Sequence, residues 1–150
     1  MKCDDCSCQL QELSLNLTYM ADRQRPEPEV VTPGLRVSVE YAVRANGTRE
    51  AEEFLRSSEC EQFRAGLANR FQAILDHGDI DGVRPKHLRD NIHEIAKGQA
   101  RIFCYKDGNC WWLTSGALKK SKKAQDRDID RAITIMNENR AVRKSNAKSR

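Results

Sequence analysis

The chain has 150 residues, 39% of them hydrophobic and 32% charged, which suits one domain with its own core and leaves no room for two. No apolar run approaches the ~20 residues of a membrane span, and the N-terminus lacks the apolar stretch of a secretory signal, so the expected location is cytoplasmic with no membrane partner. The net charge of +4 hides an asymmetry, since residues 1–83 carry 9 Lys/Arg against 15 Asp/Glu and residues 84–150 carry 17 against 7; a positive back half of this kind points to a polyanion such as nucleic acid.

The six cysteines are expected as reduced thiols in that setting. Cys3, Cys6 and Cys8 have a C-x2-C-x-C spacing, but no nearby Cys/His pair completes four zinc ligands, so no metal or other cofactor is expected. Residues 12–19, "ELSLNLTY", alternate as an accessory strand, and the run "ADRQRPEPEVVTPG" with its three prolines reads as an extended linker. Residues 1–35 are therefore an N-terminal extension, and Met20 offers an alternative start of translation.

From Arg36 the pattern "RVSVEYAV" alternates again, with Val37, Val39, Tyr41 and Val43 on one face of the first core strand. The turn "NGT" follows, then a short helix over "REAEEFL". Ser58 and Glu61 match the S-x-x-E capping box of a second helix, whose apolar stripe is Cys60, Phe63, Leu67, Phe71, Ile74 and Leu75, with Gly78 as its C-cap. Three strands are predicted next: "NIHEIA", "ARIFCY" and "CWWLTSGAL". The Asp-Gly pair in "KDGN" predicts a type I′ hairpin between the last two. The chain leaves this sheet through Lys119, Lys120, Lys122 and Lys123 and enters a last helix near Asp126, with Ile129, Ala132, Ile133 and Met136 on its buried side. The fold class is thus α+β, an antiparallel sheet with two N-terminal helices and a C-terminal helix against one face, over residues 36–142. Residues 143–150 read as a basic disordered tail.

Residues 84–123 carry a recognisable series of motifs, "RPKHLRDNIHEIAKGQARIFCYKDGNCWWLTSGALKKSKK". It resembles the RelE-like superfamily of toxin ribonucleases, in the HigB and phage-derived branch, whose pattern is K-x-L, L-x-E-L-R, Y-R-I-x-Y, a hairpin and F-x-K-K-[ST]-x-K. Lys86 and Leu88 fit the first element, and Ile92, Glu94 and Ile95 the second. Arg101, Ile102 and Tyr105 fit the third, and Lys119, Lys120, Ser121 and Lys123 the last. The family's arginine after E-L is Ala96 here, its phenylalanine before x-K-K is Ala117, and its frequent histidine two residues earlier is Ser115. The resemblance implies a RelE-like fold and the toxin of a type II toxin–antitoxin system. Such a toxin cuts messenger RNA at the ribosomal A site and is neutralised by a cognate antitoxin protein.

RNA can be cut without a metal because its 2′-hydroxyl attacks the adjacent phosphorus, leaving a 2′,3′-cyclic phosphate and a 5′-hydroxyl. The protein must hold an in-line geometry and neutralise charge on the phosphoryl oxygens. Arg101, Lys86 and Lys119 are the catalytic candidates, Arg101 first because its planar fork grips two oxygens. Lys120, Lys122, Lys123, Lys97 and Tyr105 are the RNA-binding candidates. Lys97 would point away from Ala96's face unless the turn bends there. Tyr105 could stack on a base or pack under a helix. His87 and His93 could donate protons but read better as structural, and Trp111 and Trp112 split by alternation, one inward and one outward. The rival expectation is a regulator of phage or plasmid origin that binds RNA or the ribosome without cutting. A DNA-binding module finds no helix-turn-helix signal.

Overall fold

The run Ile102–Tyr105 is apolar on both sides of its strand, and a strand of that kind needs a cover on each face. The computed structural model describes residues 37–78 and 80–148. The accessory strand, the linker, Met20 and Cys3, Cys6 and Cys8 lie outside the described residues. The elements are β1 (Ser38–Tyr41), α1 (Glu50–Arg56), a 3-10 segment (Ser58–Phe63), α2 (Arg64–His77), β2 (Lys86–Arg89), β3 (Ile92–Lys97), β4 (Ala100–Asp107), β5 (Cys110–Leu118) and α3 (Lys122–Lys148). Among the described residues no helix is long and apolar enough to cross a membrane.

The α+β class holds, with one correction to the sheet. It is mixed, not antiparallel: in the order β1-β5-β4-β3-β2, β1 joins β5 in parallel, with Val39 opposite Trp111. No tight turn connects β1 to β5, so nothing forces the antiparallel sense there. A second correction concerns the layers. Ile102 and Cys104 share a core with Phe54, Leu55, Leu67 and Phe71 from α1 and α2, whereas Phe103 and Tyr105 pack with Ile129, Ala132 and Met136 of α3. The helices therefore cover both faces, because β4 alternates two apolar sets.

Several local expectations change for identifiable reasons. The capping box does not form, and Ser58–Phe63 is a 3-10 segment preceding α2. Ser57 instead donates its hydroxyl to the Phe54 carbonyl at 2.6 Å, and Arg64 donates to the carbonyls of Leu55 (2.6 Å) and Ser57 (2.9 Å), so the free end of α1 is closed by a cationic side chain. In the β4–β5 turn the one residue with positive φ is Gly108, at 65°, with Asn109 negative; this is the pattern of a type II′ turn, not type I′. Edge strand β2 was not foreseen: it has four residues, none fully buried, and so carries no apolar alternation to read. α3 begins four residues earlier than expected and runs to Lys148, through most of the expected tail. Arg143 anchors that end, bonding the Tyr105 hydroxyl at 3.1 Å and Asp107 at 2.6 Å while lying over the Trp112 ring.

Candidate nucleic-acid interface

The register of β4 and β5 slips once: Phe103 faces Ser115 and Cys104 faces Leu113, which leaves Thr114 over as a bulge. The Thr114 hydroxyl donates to the Phe103 carbonyl at 2.8 Å, so the extra residue is fully buried yet satisfied. Bulges bend a strand, and this one bends β5 just before the residues that lead to the lysines. Past Leu118, the Lys119 amide donates to the Gln99 carbonyl at 2.6 Å and fastens the exit of β5 to the β3–β4 turn. Arg101 leaves that same turn and faces Ala117 across the strand pair. Arg101, Lys119 and Lys120 consequently line one cavity, together with Gln125 and Asp128 of α3. Its volume is about 10 Å³, space for about one water, so a phosphodiester would sit at its mouth.

Ser121 starts α3, its hydroxyl accepting from the Ala124 amide at 3.1 Å and its carbonyl from the Gln125 amide at 3.0 Å. The first turn holds no acidic residue, and Lys119, Lys120, Lys122 and Lys123 are all exposed. Four ammonium groups thus crowd the positive end of the helix dipole, where a cation is disfavoured by ~0.3–1 kcal/mol. An anion bound there would relieve both the dipole and the mutual repulsion.

Arg101 belongs to this mouth but is not idle. Its side chain is 14% exposed, with Nε 3.6 Å from Glu94 Oε1. Its Nη1 donates to the Gly98 carbonyl at 2.7 Å and to the Ala100 carbonyl at 3.0 Å. Glu94 is itself 8% exposed, and its Oε1 accepts no hydrogen bond. Glu94 matched a motif in the sequence but received no role. The signal was present, since a two-residue turn puts residue 96 opposite 101 and residue 94 diagonal to it on the same face. Ala96 leaves the place directly opposite Arg101 uncharged.

The other candidates separate from this cluster. Lys86 is exposed on β2, opposite Glu94, and lines a different depression. Lys97 is a correction: its stem lies against Gly66 of α2, on the face away from Arg101, because β3 alternates without a bend at its end. Tyr105 is a second correction, being fully buried. Its hydroxyl accepts from Asn139 Nδ2 at 2.6 Å and Arg143 Nη2 at 3.1 Å, so no base can stack on it while α3 lies there. The motif's last tyrosine position is in fact Cys104, one residue earlier. His87 and His93 donate to the carbonyls of Asp90 (2.7 Å) and Asn91 (3.2 Å). Of the two tryptophans, Trp111 joins the core of α1 and α2 and Trp112 packs beside α3.

Burial pushes the Cys60 and Cys104 thiols up, and Cys110 up to about 11, so none of the three offers a thiolate near neutral pH. The chemistry available at the mouth is therefore electrostatic: one guanidinium, four ammoniums, the Asp128 carboxylate and the shielded carboxylate of Glu94. No family model matches the chain, and no curated protein matches it either.

Proposed function

We propose that the chain is a RelE-like toxin that binds messenger RNA at the ribosome and cuts it by 2′-hydroxyl attack, gripping the scissile phosphate between Arg101 and Lys119. The observation that carries this reading is the Lys119–Gln99 backbone hydrogen bond, which fixes the lysine cluster beside Arg101 at one cavity. In the reacting complex a phosphoryl oxygen replaces Glu94 as partner of the Arg101 fork. The Glu94 carboxylate, released from its ion pair and lacking a hydrogen bond on Oε1, accepts the 2′-hydroxyl proton. Lys119 and Lys120 neutralise the charge that builds on phosphorus, and the leaving 5′-oxygen takes a proton from a lysine or from water. A cognate antitoxin belongs to this reading.

A second reading, an RNA- or ribosome-binding regulator that does not cut, is favoured by two observations. Arg101 Nη1 already donates to the Gly98 and Ala100 carbonyls and its Nε is ion-paired with Glu94, and Ala96 puts no cation opposite it. Mapping transcript ends during induced expression decides between them. Growth arrest with new transcript ends, relieved by Arg101→Ala and by Lys119→Ala, is the expected outcome. Intact transcripts with retained ribosome association would replace the toxin by the regulator.

A further inference from the structure

The sheet face opposite Arg101 carries a second basic feature that the proposed cleavage site does not use. A depression of about 740 Å³ opens there beside α2 and the β2 edge. Arg70 of α2, Arg84, Lys86, His87, His93 and Lys106 line it. Its base is Trp111, which is 2% exposed, touches the His93 ring at 4.9 Å between centroids and lies under Lys106 Nζ at 5.9 Å. Among the described residues that line it, none is a carboxylate. Asp81 pairs with Arg84 at 2.7 Å, but its side chain is 90% exposed and so screens little.

We infer that this depression is a second RNA-contact surface, which holds the phosphate backbone of a structured RNA independently of the strand gripped at Arg101. Charge decides the ligand class. A single phosphate carries at most about two negative charges, whereas three permanent cations converge on this face, Arg70 from α2, Arg84 from the segment before β2 and Lys106 from β4, with Lys86 of edge strand β2 at the rim. Several successive phosphodiesters match that number, and a small molecule with a single phosphate does not. The aromatic base is covered and edge-packed, so no ring is offered for stacking on a base, and the contact is to backbone and not to sequence. The two basic surfaces lie on opposite faces, because Arg101 alternates with Ile102 and Cys104, while His93 pairs with Cys104. One protein could thus hold a folded RNA on the α2 face and a single strand on the α3 face.

The choice of RNA rests on the proposed function, but the test separates the two. Binding of the full chain to a fluorescein-labelled RNA hairpin and to a labelled single strand is measured by anisotropy across a potassium chloride series. Each phosphate contact contributes about 0.9 to the slope of log affinity against log salt on a duplex. The variant R70E/R84E is expected to flatten the hairpin slope by about two and weaken hairpin binding at least about ten-fold, leaving the single strand nearly unchanged. The neutral variant R70Q/R84Q should fall between it and wild type, and an unaltered Tm for the pair excludes misfolding as the cause. An unchanged hairpin slope in R70E/R84E, or equal competition by polyglutamate, overturns the inference. Loss of single-strand binding in K119E/K120E with hairpin binding retained supports both readings. If K119E/K120E leaves the single strand bound while R70E/R84E releases the hairpin, the cleavage-site reading fails and this one stands.

Discussion

The pair formed by Arg101 and Glu94 gives the sharpest separation of binding from chemistry. At 3.6 Å and an effective dielectric constant of about 20, its Coulomb attraction is about 5 kcal/mol. That figure is a ceiling, since a carboxylate only 8% exposed has already lost much of its hydration. A phosphate approaching Arg101 must compete with this neighbour. Glu94→Gln removes the competing charge and keeps the shape. If a fifth of the ceiling opposes RNA, about 1 kcal/mol is recovered and affinity for a non-cleavable RNA rises roughly five-fold. Cleavage should move the other way, falling ~10²–10⁴-fold, because the amide cannot accept the 2′-hydroxyl proton. The assay pairs equilibrium binding of a 2′-deoxy-substituted RNA with single-turnover cleavage on programmed ribosomes, at matched Tm. Unchanged or weaker binding with unchanged cleavage would show that Glu94 neither competes with phosphate nor handles the proton.

Three further outcomes test other parts of the structure. Tyr105→Phe removes the acceptor shared by Asn139 and Arg143 and should cost about 1–3 kcal/mol in urea unfolding while leaving RNA affinity unchanged; lost affinity at unchanged stability would mean that the ring is reached by RNA after all. Gly98→Ala puts a Cβ 2.5 Å from the Phe63 ring at a φ of +59°, so stability should fall by about 1–3 kcal/mol, read as a lower Tm; a Tm equal to wild type would contradict this close approach. The third concerns acid. Hydrogen bonds from Arg44 and the Ala45 amide hold the Glu138 carboxyl down to about 2. Burial pushes Glu50 up, but hydrogen bonds from Arg131 and Arg44 outweigh it and hold the carboxyl below its ordinary value. Folded values below the unfolded ones mean that this stabilisation is complete above about pH 5 and drains as pH falls toward 2. Urea midpoints should therefore drop over that window, and Glu138→Gln should flatten the drop; parallel curves would show that the cluster contributes nothing.

Element order and most of the core were legible because periodicity survives packing. Val37, Val39 and Tyr41 alternate in the sequence and are buried as a set, and Leu67, Phe71 and Ile74 recur at helical spacing and face the sheet. The layers were harder to read. A strand such as β4, apolar at Ile102, Phe103, Cys104 and Tyr105, announces that it is buried but does not say by which helix on which side. Polar determinants were harder again, because they depend on what folding brings near: the Ser58–Glu61 cap expected at the start of the second helix does not form, Ser57 and Arg64 close the end of α1, and Arg143 turns an expected tail into helix by reaching Asp107. At the site, adjacency in sequence placed Lys119 and Lys120 correctly beside one another. Glu94 on Arg101 required the register of the β3–β4 pair, and the bend needed to bring Lys97 to that face does not occur.

The placement of charge along α3 explains how an unfavourable cluster can persist at its start. The middle and far end of the helix are fastened by polar contacts: Arg44 bonds Glu138 at 2.8 Å and Glu50 at 2.6 Å, Arg131 bonds Glu50 at 2.6 Å, and Asn139 bonds both the Val43 amide at 2.9 Å and the Tyr105 hydroxyl at 2.6 Å. Arg89 adds a contact to Asp130 at 2.8 Å nearer the start. These anchors, with the apolar stripe of Ile129, Ala132 and Met136, set the helix position without help from its first turn. The four lysines there are consequently free to repel one another without moving the backbone that carries them. An anion arriving there would relieve that repulsion, and the helix start holds the four charges in place for it. A surface lysine run on a loose tail would spread apart instead, and would gain far less from the same ligand.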